Sequence, residues 1–142
     1  MTLFDSRVIL DYLDHLAGGG RIVPGEPGAR FKALRLQALA DGILDASLLL
    51  VYETRFRPEE RREKKWTGSQ ADKVKRGLDV LEKDPPAIDA TPNVGQIALA
   101  CALGYQDLRF QGVWRKSYPK LVAWLDDFAR RVPSFAKAKV EA

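Results

Sequence analysis

Apolar residues recur along this chain at the spacing of helices, and almost no β pattern appears after residue 5. Val8, Ile9, Tyr12, Leu13 and Leu16 follow the N-cap candidates Asp5 and Ser6, and Gly18, Gly19 and Gly20 end that helix. A linker from Arg21 to Glu26 leads to a long helix, from Ala29 to about Phe56. Its positions Leu36, Leu39, Ile43, Ser47 and Leu50 form a core stripe, and Leu44, Leu48, Leu49 and Val51 widen it until two faces can be covered. One face packs inward and the other is open to a dimer surface. Pro58 ends this helix and can start the next, from about Glu59 to Lys83, with Trp66, Val74, Leu78 and Leu81 on one side. Gly68 and Gly77 weaken that helix and mark places for a bend or a close crossing. A last helix starts at Pro119, carries Leu121, Trp124, Leu125 and Phe128 at i, i+3, i+4 and i+7, and ends at Pro133, with Phe135 folding back on the bundle.

The stretch from Thr91 to Phe110, TPNVGQIALACALGYQDLRF, stands apart from these amphipathic segments. From Ile97 to Leu103 only Cys101 interrupts the apolar run, so a helix here is expected to be enclosed by protein on every side. The run is far too short for a bilayer, which needs about 20 apolar residues. Asn93 and Gln96 occupy the N-cap and third positions of a capping box, satisfying donors that would be buried at the helix start. Leu108 to Ser117 reads as an irregular connection holding Phe110 and Trp114. The pattern as a whole predicts an all-α bundle of about five to six helices around a central apolar post.

Composition narrows the reading. The 142 residues suit one core, and the net charge of +4 falls short of the clustered basic stripe of a nucleic-acid binder. A single cysteine makes no internal disulfide, and the N-terminus lacks a signal-peptide pattern, so a cytoplasmic setting is expected, with no membrane partner. The run ETRFRPEERREKK (residues 53–65) interleaves Glu with Arg and Lys and reads as a solvated helix face, with pairs such as Glu60 and Lys64 at i, i+4. Residues after Phe135 read as a disordered tail.

The capped helix continuing as IALACALGYQDLRF, followed by YPKLVAWLDDFARRVPSF, resembles the C-terminal all-helical domain of cytosolic glutathione transferases over nearly the whole chain. In that family the cap is usually Ser or Thr with Asp at the third position; Asn93 and Gln96 replace both, with Gly95 between them. Asp5 and Ser6, followed by RVILDYL, are similar to the motif that closes the family's N-terminal thioredoxin-like domain. The resemblance therefore divides the chain into a thioredoxin-like remnant, residues 1–20, and a helical domain, residues 21–142. It implies that Asp5 binds the ammonium of the γ-glutamyl end of glutathione, and that the Ser6 hydroxyl and N–H bind its carboxylate. Read from the residues alone, Asp5 and Ser6 are more simply a plain helix cap, since caps are common.

In the family, the Tyr, Ser or Cys that activates the glutathione thiol and the cis-proline that reads its backbone lie upstream of this motif. The chain thus reads as a truncated form without its catalytic half, inactive alone, and no catalytic residue is assigned. Met1 to Phe4 would be a scrap of the missing sheet. The implied reaction joins glutathione, a co-substrate and not a cofactor, to a small apolar electrophile within a homodimer; the alternative is a non-catalytic module that binds a ligand or protein. The helical domain supplies the electrophile pocket in this family, and Tyr52 is the residue named for it here; Tyr105, Trp114 and Tyr118 could line an apolar pocket too, although aromatic residues in a small helical bundle are core more often than site. His15 reads as an exposed helix-end residue, Cys101 as an inert core thiol, and no residue cluster has metal-ligand spacing.

Overall fold

The computed structural model describes residues 1–138, and among these the regular structure is entirely helical. Six α-helices follow in order: α1 Ser6–Leu16, α2 Pro27–Phe56, α3 Lys64–Lys83, α4 Val94–Phe110, α5 Pro119–Arg131 and α6 Pro133–Lys137. Short 3-10 turns at Glu59–Arg61 and Val113–Lys116 join α2 to α3 and α4 to α5. Met1 to Phe4 form no strand.

Helix α4 is the post around which the others pack. Its start is held by a full capping box: Asn93 Oδ1 accepts from the Gly95 and Gln96 N–H groups, and Gln96 Oε1 accepts from the Asn93 N–H at 3.0 Å. Gln96 also donates to the Ala87 carbonyl at 2.6 Å, tying the α3–α4 loop to the cap. Leu99, Ala100, Ala102 and Leu103 are fully buried and join Ile43, Leu78, Leu121, Leu125 and Phe128 in the main core.

Helices α2 and α4 run parallel and in step. A Cβ on Gly95 would lie 2.5 Å from the Ala33 carbonyl and 2.7 Å from Leu36 Cβ, so the backbones touch there. Eleven residues further along both helices, Gln106 Nε2 donates to Ser47 Oγ, which in turn donates to the Ile43 carbonyl at 2.6 Å. That chain satisfies two polar groups inside the core. Helix α3 crosses α2 in the opposite direction at Gly77, where a Cβ would meet Ile43 at 2.7 Å; Gly68 has nothing within 4 Å and marks no crossing.

Several boundaries move from the sequence expectations. Helix α2 begins at Pro27, two residues early, because Glu26 caps it by accepting from Gly28 and Ala29. The helix expected from Glu59 splits: Glu53, only 4% exposed, accepts from the Glu63 N–H at 3.0 Å, and Glu63 then caps α3. Glu60 lies in the 3-10 turn and Lys64 opens α3, so the two are not one turn apart on a single helix. Helix α4 runs on to Phe110, and Gln111 and Gly112, both at positive φ, turn the chain toward α5. The expected enclosure of α4 fails at Cys101, which is exposed. Phe135 stacks edge-on against Phe128 at 5.6 Å within α6, while residues 139–142 of the expected tail lie outside the described residues.

Candidate functional site

The N-terminus of α1 carries Asp5 and Ser6, both exposed. Asp5 is the N-cap, its carboxylate accepting from the Arg7 N–H at 3.1 Å, and Ser6 is the first helical residue. A carboxylate, a hydroxyl and unpaired N–H groups therefore sit within one turn, a set able to hold the ammonium and carboxylate of an amino-acid head group.

This helix end is fixed on α2. Arg7 Nε lies 2.8 Å from Asp41 Oδ2, off the hydrogen-bond axis, so the pair is held by charge. One turn further along α1, Asp11 faces Arg30 at 3.9 Å, so α1 runs antiparallel to the first half of α2. Asp14, buried at 5% exposure, accepts from the Gly20, Arg21 and Ile22 N–H groups at 2.8, 3.0 and 2.8 Å and pins the linker. Those bonds, that from Ile22 foremost, hold its pKa below 3.8 despite burial. Ile22 continues the tether by accepting from the Val94 N–H at the start of α4.

Because α1 starts level with Asp41, the second half of α2 is left open on that side. Asp41, Asp45, Leu48 and Tyr52 stand at i, i+4, i+7 and i+11, within about 60° of one another around the helix. On α4 the matching wall is Cys101, Tyr105 and Leu108 at i, i+4 and i+7. Leu48, Tyr52 and Cys101 are exposed, and Tyr105 and Leu108 half-buried. Burial pushes the Asp41 carboxyl above its ordinary value, against the pull of Arg7, with Asp45 and Asp5 adding to the rise. Loss of water, then the charge of Asp41, raises the Cys101 thiol, which places Cys101 beside Asp41 at the near end of the groove. Arg109 marks the far end, its guanidinium carbon 5.9 Å from the centre of the Tyr105 ring.

Asp5 and Ser6 thus lie at one end of this groove and Tyr52 toward the other, about 16 Å along α2 from Asp41. Tyr52 packs edge-on against Phe56 at 5.2 Å. Asn93 and Gln96 belong to the helix cap and not to the groove. The sequence reading missed Asp41 and the open face of Cys101. An Asp one helical turn before a second Asp, on a face otherwise apolar, was the available signal.

The other aromatic candidates are core. Trp114 and Tyr118 are buried, with Trp114 Nε1 donating to Asp107 at 2.9 Å and the Tyr118 hydroxyl to Asp79 at 3.0 Å. His15 is exposed in the last turn of α1. Among the described residues there is no group of three or more His, Cys, Asp or Glu able to hold a metal, and no helix long and apolar enough to cross a membrane.

Comparison with known proteins follows the same outline. Residues 37–127 match the family model of the glutathione S-transferase C-terminal domain. The uncharacterized GST-like protein YibF of Escherichia coli is 34% identical, covering 96% of this chain and 68% of that protein. Among solved structures, a glutathione transferase family member from Pseudomonas fluorescens Pf-5, with bound S-(propanoic acid)-glutathione, superposes with a TM-score of 0.90 at 41% identity, covering 100% of this chain and 72% of its own. A glutathione S-transferase from Methylobacillus flagellatus KT with glutathione bound gives 0.85 at 35% identity, covering 95% and 68%.

Proposed function

The chain belongs to the glutathione S-transferase family through its C-terminal helical domain, and from that premise we propose that it serves to join glutathione to an apolar electrophile. The observation that carries this reading is the groove itself: a helix start bearing a carboxylate, a hydroxyl and open N–H groups at one end and an apolar, aromatic wall at the other. An extended tripeptide spans about 10 Å, so glutathione anchored at Asp5 and Ser6 reaches along the groove and leaves the stretch near Leu48, Tyr105 and Tyr52 for the electrophile. That relatives of this fold hold glutathione or a glutathione conjugate supports the same assignment.

In this reading Asp5 pairs with the γ-glutamyl ammonium, while the Ser6 hydroxyl and N–H donate to its carboxylate. The glutathione thiol gives up its proton to water, the sulfur forms a bond to the electrophilic carbon, and the leaving group departs with its electron pair. These residues bind and orient, and Leu48, Tyr52 and Tyr105 exclude water from the reacting carbon. The thiol-activating role is assigned to none of the described residues. The stripe Phe31, Leu49 and Phe56, exposed along the outer face of α2, is the surface for a homodimer, and a reducing cytoplasm is the setting.

Titrating glutathione into the full-length protein, with and without Asp5→Ala, tests the anchor. Loss of one charge-assisted contact is expected to weaken binding about tenfold. Unchanged affinity in the variant would remove Asp5 from the site. Tight glutathione binding without turnover of any electrophile would favour the non-catalytic binding module.

A further inference from the structure

We propose that Arg109 reads an anionic group on the electrophile, so that the substrates of this groove are electrophiles carrying a carboxylate; the inference rests on the transferase reading above. Arg109 sits at the end of the groove away from Asp5, with its guanidinium over the Tyr105 ring. It also lines a hollow of about 610 Å³ shared with the start of α3, floored by Leu50, Val51 and Phe110 and rimmed by Glu53, Glu59, Arg62 and Lys64.

The cations around this hollow are not equivalent. Of those that line it, Arg62 is turned away to donate to the Thr54 and Arg57 carbonyls at 3.0 and 3.1 Å, while Lys64 offers a compact ammonium and Arg109 a planar fork. Glu53 is itself taken by the Glu63 N–H. Among the described residues, no carboxylate lies within ion-pair distance of Arg109. A guanidinium stacked on an aromatic face keeps its donor edge outward and is partly stripped of water, which strengthens a bidentate contact to a carboxylate.

Polarity along the groove then sets direction. Asp5, Asp41 and Asp45 gather at the near end, where they attract an ammonium and repel an anion. Arg109 lies eight residues beyond Cys101, about 12 Å of helix rise from the level of Asp41. A glutathione conjugate lying head to Asp5 brings a carboxylate on its sulfur substituent to that distance, whereas in a reversed conjugate that carboxylate meets the like charge of Asp5, Asp41 and Asp45.

The test is calorimetric binding of two conjugates to the full-length protein: S-benzylglutathione and S-(4-carboxybenzyl)glutathione. The carboxylate is expected to tighten binding about tenfold at low salt, and Arg109→Gln to bring the two conjugates within about twofold of each other. Arg109→Lys is expected to keep part of the preference, since it retains the charge and loses the fork. Equal binding of the two conjugates by the native protein, or a preference that survives Arg109→Gln, would overturn the proposal while leaving the transferase reading in place. Binding of neither conjugate would overturn both. Circular dichroism of each variant separates loss of preference from loss of fold.

Discussion

Arg7 on α1 and Asp41 on α2 meet at 2.8 Å, and through that ion pair the helix that presents Asp5 and Ser6 is set against the helix that presents Tyr52. Arg7 is half exposed and Asp41 is only 15% exposed, so the burial cost falls on the carboxylate. The raised Asp41 pKa records that burial outweighs the pull of Arg7.

The sign of that shift gives two opposed expectations for Asp41→Asn. A carboxyl raised in the folded state contributes stability that is full below its ordinary value of 3.8 and is lost as pH rises through the raised one. The amide variant escapes the loss, so its Tm relative to the native protein is expected to be higher at pH 7 than at pH 3.5. Glutathione affinity is expected to move the other way, falling about tenfold as the α1 start loses its tether. The exchange Arg7→Asp with Asp41→Arg is expected to restore part of it. Thermal melts at the two pH values, with glutathione titrations at pH 7, decide the matter; a variant that is weaker in both respects refutes the assignment.

Gly95 and Gly68 make a matched pair for the packing argument. At Gly95 a methyl group runs into a backbone carbonyl, which cannot step aside, so Gly95→Ala is expected to cost at least ~1–3 kcal/mol. At Gly68 a methyl group meets nothing, and Gly68→Ala is expected to stabilise α3 by up to about 1 kcal/mol. Urea denaturation of both variants provides the comparison, and equal effects would mean that α2 and α4 are not in backbone contact.

The Asp14 carboxylate accepts from the N–H groups of three consecutive loop residues, Gly20, Arg21 and Ile22. Removing it in Asp14→Ala leaves those donors short of partners and is expected to cost roughly 2–3 kcal/mol at neutral pH. The pKa is depressed in the fold, so this contribution is present above the ordinary value of 3.8 and is lost as pH falls below it. The gap between native and variant stability should therefore close toward pH 3. A gap that stays constant from pH 7 to pH 3 would mean that the charge of Asp14 is not what holds the linker.

The bundle was legible because its signals are local. Pro119 followed by Leu121, Trp124, Leu125 and Phe128 writes one helix with its start and its buried face, and Asn93 with Gln96 writes another start. What escaped depends on neighbours. Glu53 reads as one more charge in a solvated run, yet tertiary packing buries it as the acceptor that starts α3 ten residues later. Cys101 sits in an apolar run, yet α1 begins level with Asp41 and runs back along the first half of α2, which leaves that side of α4 bare. Periodicity shows that a face is apolar; only the length and placement of the covering helix show whether it is covered.

Tyr52 separates the two halves of the groove in a single experiment. It lies about 16 Å along α2 from Asp41, on nearly the same face, and is 45% exposed with Phe56 packed edge-on against it. Truncation to Ala removes an aromatic wall from the electrophile end without touching Asp5, Ser6 or Arg7. In Tyr52→Ala the KM for an apolar aromatic electrophile is expected to rise about three- to tenfold, the effect of losing one aromatic contact, while the Kd for glutathione stays within twofold. The exposed ring contributes little to the core, so the melting temperature is expected to hold. Steady-state kinetics with the electrophile varied at saturating glutathione, set beside a glutathione titration, read the two ends independently. A variant that loses glutathione affinity and keeps its electrophile KM would reverse the polarity assigned to the groove.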